Sequence, residues 1–358
     1  MKTKHLLLST LALATPLLLS MGPRGDNVAF APAEGAGITK TFVLNQNFEL
    51  DDVNMSMNGE DMGMEMEMSV TTTQTISVAD TYSKMEGAKP IKLTRTFKDG
   101  NTEISTEANA AGMGQNQNMD ASGEGASKLN DLTVIFSWDE EESEYTKAYD
   151  EESEGEAEWL TDLTEDTDLR GLLPTEDVSV DDEWVADSSV LVSIFAPGGN
   201  LQWDMEIEGK QGAGGPDAEM MSNLGSMLEE SLEGEVKCKY VGKKDADGKS
   251  MLAIEVTVDI DSITDMTEMV EEGMADQDLP ESVEIEVARM DMELHMEGKG
   301  VLLWNAETGL VHSFKYTGET GMIIDMDMNI NAMGNEVENS MHMEMSGEME
   351  LNVTTSKE

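Results

Sequence analysis

Methionine recurs at intervals of two or four residues in separate segments of this chain, and no other feature constrains the fold as strongly. The sets are Met62, Met64, Met66 and Met68; Met290, Met292 and Met296; Met322, Met326 and Met328; and Met341, Met343, Met345 and Met349. Such a period places side chains on one face of a β-strand. The intervening positions are mostly acidic, as at Glu65, Glu67, Asp325 and Asp327. The pattern therefore predicts strands with a methionine face and an acidic face.

The methionine face has three interpretations. Methionine is apolar and flexible, so the face can be ordinary core. It can also be an adaptable apolar surface that binds a ligand or a protein partner. The residues of such a surface are Met64, Met66, Met292, Met326 and Met343. Thirdly, thioethers suit a soft ion such as Cu(I), although on a strand His342 faces away from Met341 and Met343.

The apolar positions change phase near Ala288. Val283, Ile285 and Val287 have odd numbers, whereas the apolar residues from Met290 onward have even numbers. A slip of one residue is typical of a β-bulge or a strand break.

Three hairpins are predicted from apolar runs that are separated by turn-forming residues. They are 301–304 with 310–316 across the loop 305–309; 236–260 with its turn in 242–249; and 91–97 with 102–108 across Lys98-Asp99-Gly100-Asn101. Helical spacing predicts short helices near 217–233 and 263–272, and a further turn or two at 190–195. The predicted fold is mainly β, with antiparallel sheets in two curved, half-barrel-like halves and a few short helices.

The N-terminus is typical of a signal peptide. A basic start precedes the uncharged run Leu6–Leu19, which is too short to span a bilayer comfortably. We therefore expect a signal peptide over 1–22, with cleavage as late as residue 33, and an uncleaved anchor is the alternative. An N-terminal β half over 34–158 ends in an acidic, extended loop at 139–158, and a C-terminal β half covers 159–358.

The charge excludes two classes of partner. The chain has 74 acidic and 22 basic residues and a formal net charge of -52. Affinity for nucleic acids and for anionic membranes depends on basic residues, so neither is an expected partner. Opposed carboxylates on neighbouring strands repel each other, so we expect cations as counterions and hypothesise saline surroundings or bound Ca²⁺.

No motif for catalysis or cofactor binding is present. His312 alternates with apolar residues and is expected to be packed, and Cys238 is expected to be a buried, inert thiol. No two histidines have zinc-like spacing, and no nucleophile elbow, phosphate loop or dinucleotide fingerprint occurs. We therefore predict no catalytic residues, no metal ligands and no cofactor, and we predict that the protein is not an enzyme. A hydrolase that uses scattered carboxylates is one alternative.

Several segments together carry a family resemblance. Leu172-Leu173-Pro174 precedes Val178-Ser179-Val180-Asp181-Asp182-Glu183-Trp184, segment 240–258 surrounds an Asp-Gly turn, and 300–316 is a closing hairpin. These segments resemble a family of uncharacterised exported bacterial β-rich proteins, in which glycine usually stands where this chain has Asp181. The resemblance implies an exported β-rich fold and carries no catalytic residues across.

The sequence favours an exported, non-enzymatic protein of the periplasm or the extracellular space. Its expected role is to bind an apolar ligand or an envelope protein through the methionine face. An acidic protein that binds Ca²⁺ or copper ions is the other alternative.

Overall fold

The computed structural model describes residues 25–63, 65–112, 115–118, 120–209, 234–268, 270–271, 283–332 and 335–357. Its strands are β1 (Ala36–Met57), β2 (Glu60–Asp61), β3 (Glu65–Glu86), β4 (Lys89–Gly112), β5 (Gln115–Asn118), β6 (Ala121–Ser127), β7 (Thr133–Asp139), β8 (Glu144–Tyr149), β9 (Glu183–Ala186), β10 (Trp203–Gly209), β11 (Gly234–Ala246), β12 (Lys249–Asp265), β13 (Val283–Asn305), β14 (Leu310–Ala332) and β15 (Asn335–Ser356). The helices whose bounds lie within the described residues are two 3-10 helices, Ala157–Leu160 and Arg170–Leu172, and the α-helix α1, Val190–Phe195.

All the described strands belong to one antiparallel sheet. Its main order is β10-β6-β4-β3-β1-β15-β14-β13-β12-β11-β9, so the sheet is open, with β10 at one end and β9 at the other. The prediction of a mainly β, antiparallel protein with few short helices is confirmed. Strands before residue 158 lie on one side of the β1–β15 pair and later strands lie on the other, except β10, which pairs with β6.

The main core lies between one face of the sheet and a layer of mostly irregular chain that includes α1, which we call the irregular layer. That layer contributes Phe30, Leu169, Leu191 and Ile194, which are all at most 3% exposed. Each apolar side chain of this size contributes about 1.5–3 kcal/mol when it leaves water. Trp304 on β13 also donates a hydrogen bond to the Ala29 carbonyl, at 3.1 Å. Burial and such bonds hold the layer, which contains little secondary structure.

A glycine pair on β13 and β14 lies against one aromatic ring of this core. The ring of Tyr316 lies so close to Gly298 and Gly318 that a Cβ atom on either residue would lie 2.2 or 2.6 Å from its hydroxyl. Only glycine permits this approach of a ring to the sheet backbone. The Tyr316 hydroxyl is buried without a hydrogen-bond partner among the described residues, and burial raises its pKa to about 12.

Two predicted hairpins and the predicted bulge are confirmed. Strands β13 and β14 turn through 306–309, and β11 and β12 turn at Asp247-Gly248. The register between β13 and β14 shifts between Val287 and Arg289, which makes Ala288 the extra residue. Val287 and Met290 are both buried, so the bulge keeps the apolar positions on one face of β13 across the phase change.

The predicted hairpin at 91–108 is wrong. Strand β4 runs straight through Lys98-Asp99-Gly100-Asn101, because β3 pairs with it along almost its whole length. Lys98 is instead a bulge residue opposite Ser77 and Val78. At this point the other neighbour of β4 changes from β7 to β6.

Two further predictions need correction. The acidic segment 139–158 contains strand β8 and part of a 3-10 helix, because Tyr145 and Tyr149 pack against the main core. The apolar contact of these rings outweighs the repulsion among the exposed carboxylates. Near 263–272, β12 extends to Asp265 and helical residues begin at Thr267, while the helix predicted at 190–195 is confirmed. Segments 1–22 and 217–233 lie outside the described residues.

Candidate functional site

The ends of β13, β14 and β15 that lie away from the turn at 306–309 form an apolar surface that is separate from the main core. We call it the methionine surface, and its residues are Met290, Met292, Met322, Met326, Met328, Met341 and Met343. Met290 and Met292 are buried together with Val287 and Ile324, and the other methionines are partly buried against them. The surface continues the face that carries the main core, because the period of two runs unbroken along β14 and β15.

Strand register aligns these methionines in rows. Met290, Met326 and Met341 lie directly opposite one another on neighbouring strands, and Met55 on β1 is next in the row. The adjacent row contains Met292, Ile324 and Met343. Direct opposition brings Cβ atoms to about 4.5–5.5 Å, so each thioether reaches its neighbour.

A short helical turn covers one side of the methionine surface. Met266 follows β12 and is 2% exposed, and its backbone N–H donates to the Met290 carbonyl at 2.7 Å. The Met290 N–H in turn donates to the Thr267 hydroxyl at 2.8 Å. Val270 packs on the same cluster. These contacts fix the turn against β13 and leave the β14 and β15 methionines partly exposed.

The structure brings together three of the five residues predicted for an apolar surface. Met292, Met326 and Met343 share the methionine surface. Met66 is half-buried on β3 opposite Ala110, beyond the last pair of β3 with β1, and is not part of that cluster. Met64 lies outside the described residues.

The opposite face of the same strands is acidic, as the alternation predicts. Five carboxylates lie directly opposite one another across β11 to β15, at Glu235, Asp259, Glu297, Glu319 and Glu348. All five are exposed, and Lys237 pairs with Glu235 at 2.6 Å. Like charges in direct opposition repel one another and destabilise a sheet.

A cleft of about 340 Å³ lies on this acidic face beside Asp325, Asp327 and His342. His342 Nδ1 lies 2.8 Å from Asp325, and this hydrogen bond raises the pKa of His342. Arg289 pairs with Asp291 nearby. Among the described residues, no three His, Cys, Asp or Glu side chains are placed to hold a metal ion.

A buried charge network, which was not predicted from the sequence, lies inside the main core. Its residues are Lys40, Asp80, Tyr82, Arg95, Thr167 and Asp168, all fully buried. Lys40 Nζ lies 2.7 Å from Asp80 and 2.8 Å from Asp168, and Arg95 donates two bonds to Asp80 at 2.8 and 2.9 Å. Burial alone raises the pKa of Asp80, but Arg95 and Lys40 outweigh it and hold the pKa below its ordinary value.

This network anchors the irregular layer to the sheet. Arg95 donates to the carbonyls of Thr164 and Glu165 at 2.8 and 2.7 Å, and Tyr82 donates to Asp168 at 2.6 Å. Two cations balance two carboxylates, so the core holds charge without a net excess. Breaking such a pair by removing one partner costs about 3–5 kcal/mol.

Three of the six network residues can be recognised in the sequence, because each is a charged residue within an apolar alternation. Lys40 interrupts the apolar alternation Ile38, Phe42 and Leu44, and Asp80 and Arg95 interrupt similar series on β3 and β4. A charge at a position that faces the core must be paired. Asp80 and Arg95 are in fact direct cross-strand partners.

The other polar candidates are placed as follows. Cys238 is buried on β11, and burial raises the pKa of its thiol to about 12, which keeps it protonated and unreactive. His312 is mostly buried and lies 3.5 Å from Asp247, while His295 is exposed beside Asp261. No helix among the described residues is long and apolar enough to cross a membrane.

Comparison with protein-family models and with curated proteins gives no match. Among solved structures, the outer membrane protein OprG from Pseudomonas aeruginosa is similar with a TM-score of 0.22 and 8% identity, covering 89% of this chain and 97% of that one. An outer membrane channel from Pseudomonas putida F1 is similar with a TM-score of 0.18 and 12% identity, covering 90% of this chain and 97% of that one.

Proposed function

We propose that this chain is an exported, non-enzymatic protein of the cell envelope that binds an elongated apolar ligand, such as an acyl chain, on its methionine surface. One observation carries the proposal. Met322, Met326, Met328, Met341 and Met343 pack on a buried apolar cluster and yet remain partly open to solvent.

The chemistry of the surface supports an elongated apolar ligand. Methionine side chains are unbranched and flexible, so they repack around ligands of different shape. The rows run across at least three strands, which gives the surface length as well as width. The acidic outer face keeps the same strands in water and disfavours association with other acidic surfaces.

A neutral fluorescent probe, N-phenyl-1-naphthylamine, tests the proposal, because an anionic probe is repelled by the net charge. We expect the wild-type protein to bind the probe and to release it to long-chain lipids. Met326→Ser with Met343→Ser removes apolar area and is expected to weaken binding roughly tenfold. Met326→Leu with Met343→Leu keeps the area and is expected to bind within about twofold of wild type.

Two results decide against the proposal. One is that the wild-type protein binds neither the probe nor a lipid that native mass spectrometry detects after purification from its own host. The other is that the serine variant binds as well as the wild type. Ile207→Ser is the matched control, because Ile207 is an apolar residue on distant β10 that is 60% exposed. If the native mass spectrum shows a bound protein and no lipid, the methionine surface binds a protein partner and the proposed apolar ligand is wrong.

A further inference from the structure

The row formed by Met290, Met326 and Met341 brings three thioether groups together on neighbouring strands. We propose that this row is a binding site for one soft monovalent cation, Cu(I), held by the sulfur atoms of its three methionines. The cation would bind the sulfur atoms of the methionine surface, whereas the proposed apolar ligand would contact its apolar area.

The register supplies the geometry. Met290 pairs with Met326, Met326 pairs with Met341, and Met341 pairs with Met55. Opposed positions have Cβ atoms about 4.5–5.5 Å apart. Each methionine has three rotatable bonds beyond the backbone, so neighbouring sulfurs can converge on one ion. Met290, Met326 and Met341 already pack in one apolar cluster, which places their side chains on the same side of the sheet.

The donor set selects the ion. Thioether sulfur is a soft, neutral ligand that suits Cu(I), whereas Ca²⁺ and Mg²⁺ require oxygen ligands. His342 is adjacent to Met341 in sequence, but its ring bonds Asp325 on the acidic face. The Cys238 thiol is buried and protonated on β11, and its row crosses β13 at Gly300, far along the strand from Met290. The site therefore consists of sulfur without nitrogen or thiolate.

Electrostatics favours a cation at this place. The ligands are neutral, so the bound ion keeps its charge, and deep burial of that charge would be costly. Met326 and Met341 are only partly buried, which leaves the ion partly hydrated. Asp325 and Asp327 are the sequence neighbours of Met326, and their carboxylates lie on the opposite, acidic face of β14. The net charge of -52 also raises the local concentration of cations.

The experiment measures Cu(I) affinity by competition with the chelator bicinchoninate under reducing conditions, and Ag(I) stoichiometry by native mass spectrometry. We expect one ion per chain. Met326→Leu with Met341→Leu keeps the apolar area and removes two sulfurs, and it is expected to weaken Cu(I) binding by roughly 100-fold. X-ray absorption of the Cu(I) complex is expected to show sulfur neighbours without nitrogen.

Two controls separate this site from other sulfur. Met205→Leu removes a half-buried methionine on β10, and Cys238→Ala removes the thiol; both are expected to leave the affinity unchanged. Unchanged affinity in Met326→Leu/Met341→Leu, or loss of the ion in Cys238→Ala, overturns the proposal. The leucine variant is expected to keep naphthylamine binding, so failure of the metal site and failure of the apolar site give different results.

Discussion

Glu165 is a buried carboxyl in the irregular layer, and its protonation is linked to the free energy of unfolding. It is 7% exposed, and burial raises the pKa of its carboxyl to about 7, although Arg170 opposes this shift. Between about pH 4.5 and 7, the folded protein therefore holds a proton that the unfolded chain has released. The free energy of unfolding falls as the pH rises through this window, by up to about 3 kcal/mol from this group. Urea unfolding at pH 5 and at pH 8 measures the difference.

Glu165→Gln is the variant that isolates this effect, because glutamine keeps the shape and does not titrate. We expect it to have a smaller loss of stability between pH 5 and pH 8 than the wild type. His342→Gln removes another titratable group, whose pKa is raised by its hydrogen bond with Asp325, and is expected to keep the dependence due to Glu165. Equal slopes in the wild type and in Glu165→Gln would contradict the assignment.

At the same scale, part of the buried charge network could have been predicted from the sequence, although it was not. Lys40, Asp80 and Arg95 occupy core-facing positions of strands, so the period of two is sufficient to mark them as buried and paired. Their partners Thr167 and Asp168 lie in irregular chain, where side-chain direction has no period. Only the packing of that segment on the sheet shows which residues face Lys40.

At the scale of strands, Gly298 is the position where a single methyl group should matter most for β13 and β14. An added Cβ would lie 2.2 Å from the Tyr316 hydroxyl and 2.7 Å from the Thr317 carbonyl oxygen. We expect Gly298→Ala to lower the free energy of unfolding by about 1–3 kcal/mol, because the ring must move out of a packed core. Chemical denaturation measures the change.

Gly321→Ala is the matched control on β14. There the nearest atoms to an added Cβ are 3.7 and 3.8 Å away, which is ordinary contact, so we expect a change of less than about 0.5 kcal/mol. Adding Tyr316→Leu to Gly298→Ala is expected to cost less than the sum of the two single changes. Additive costs would show that the ring and the glycine do not interact.

The predictions of turns and bulges were correct where residues within a few positions determine the structure. They were wrong where pairing with a neighbouring strand determines it. The turn at Asp247-Gly248 and the bulge at Ala288 follow from residues within a few positions. Residues 98–101 have equally good turn chemistry, but pairing with β3 on both sides of this point keeps β4 extended. Turn-forming residues therefore give either a reversal or a bulge, and the neighbouring strand selects between them.

At the scale of the whole molecule, we expect the acidic face to make the stability of the fold depend on ions in solution. The opposed carboxylates across β11 to β15 repel one another at low ionic strength. We expect the Tm to rise by several °C, roughly, between 0.01 and 1 M NaCl, because the Debye length falls from about 30 to 3 Å. At equal ionic strength, CaCl2 is expected to raise the Tm further, since Ca²⁺ binds carboxylate oxygens.

A variant from the middle of that row tests the cause. Glu297→Gln with Glu319→Gln removes two adjacent charges and is expected to raise the Tm at low salt and to reduce the gain on adding salt. Glu156→Gln, on an exposed residue outside the sheet, is expected to change neither. A flat response of the wild type to both salts would remove the idea that this face needs ions.

The pairing of β1 with β15 has a consequence for how the chain reaches its folded state. These two strands lie side by side in the middle of the sheet, although they are separated by nearly the whole described sequence. Until β15 is available, one edge of β1 has no neighbour, and the strands on either side form two separate sheets. Contacts of such long separation slow folding. Completion of the sheet is therefore expected late in folding, and until then the open edge of β1 is a place where another strand can pair.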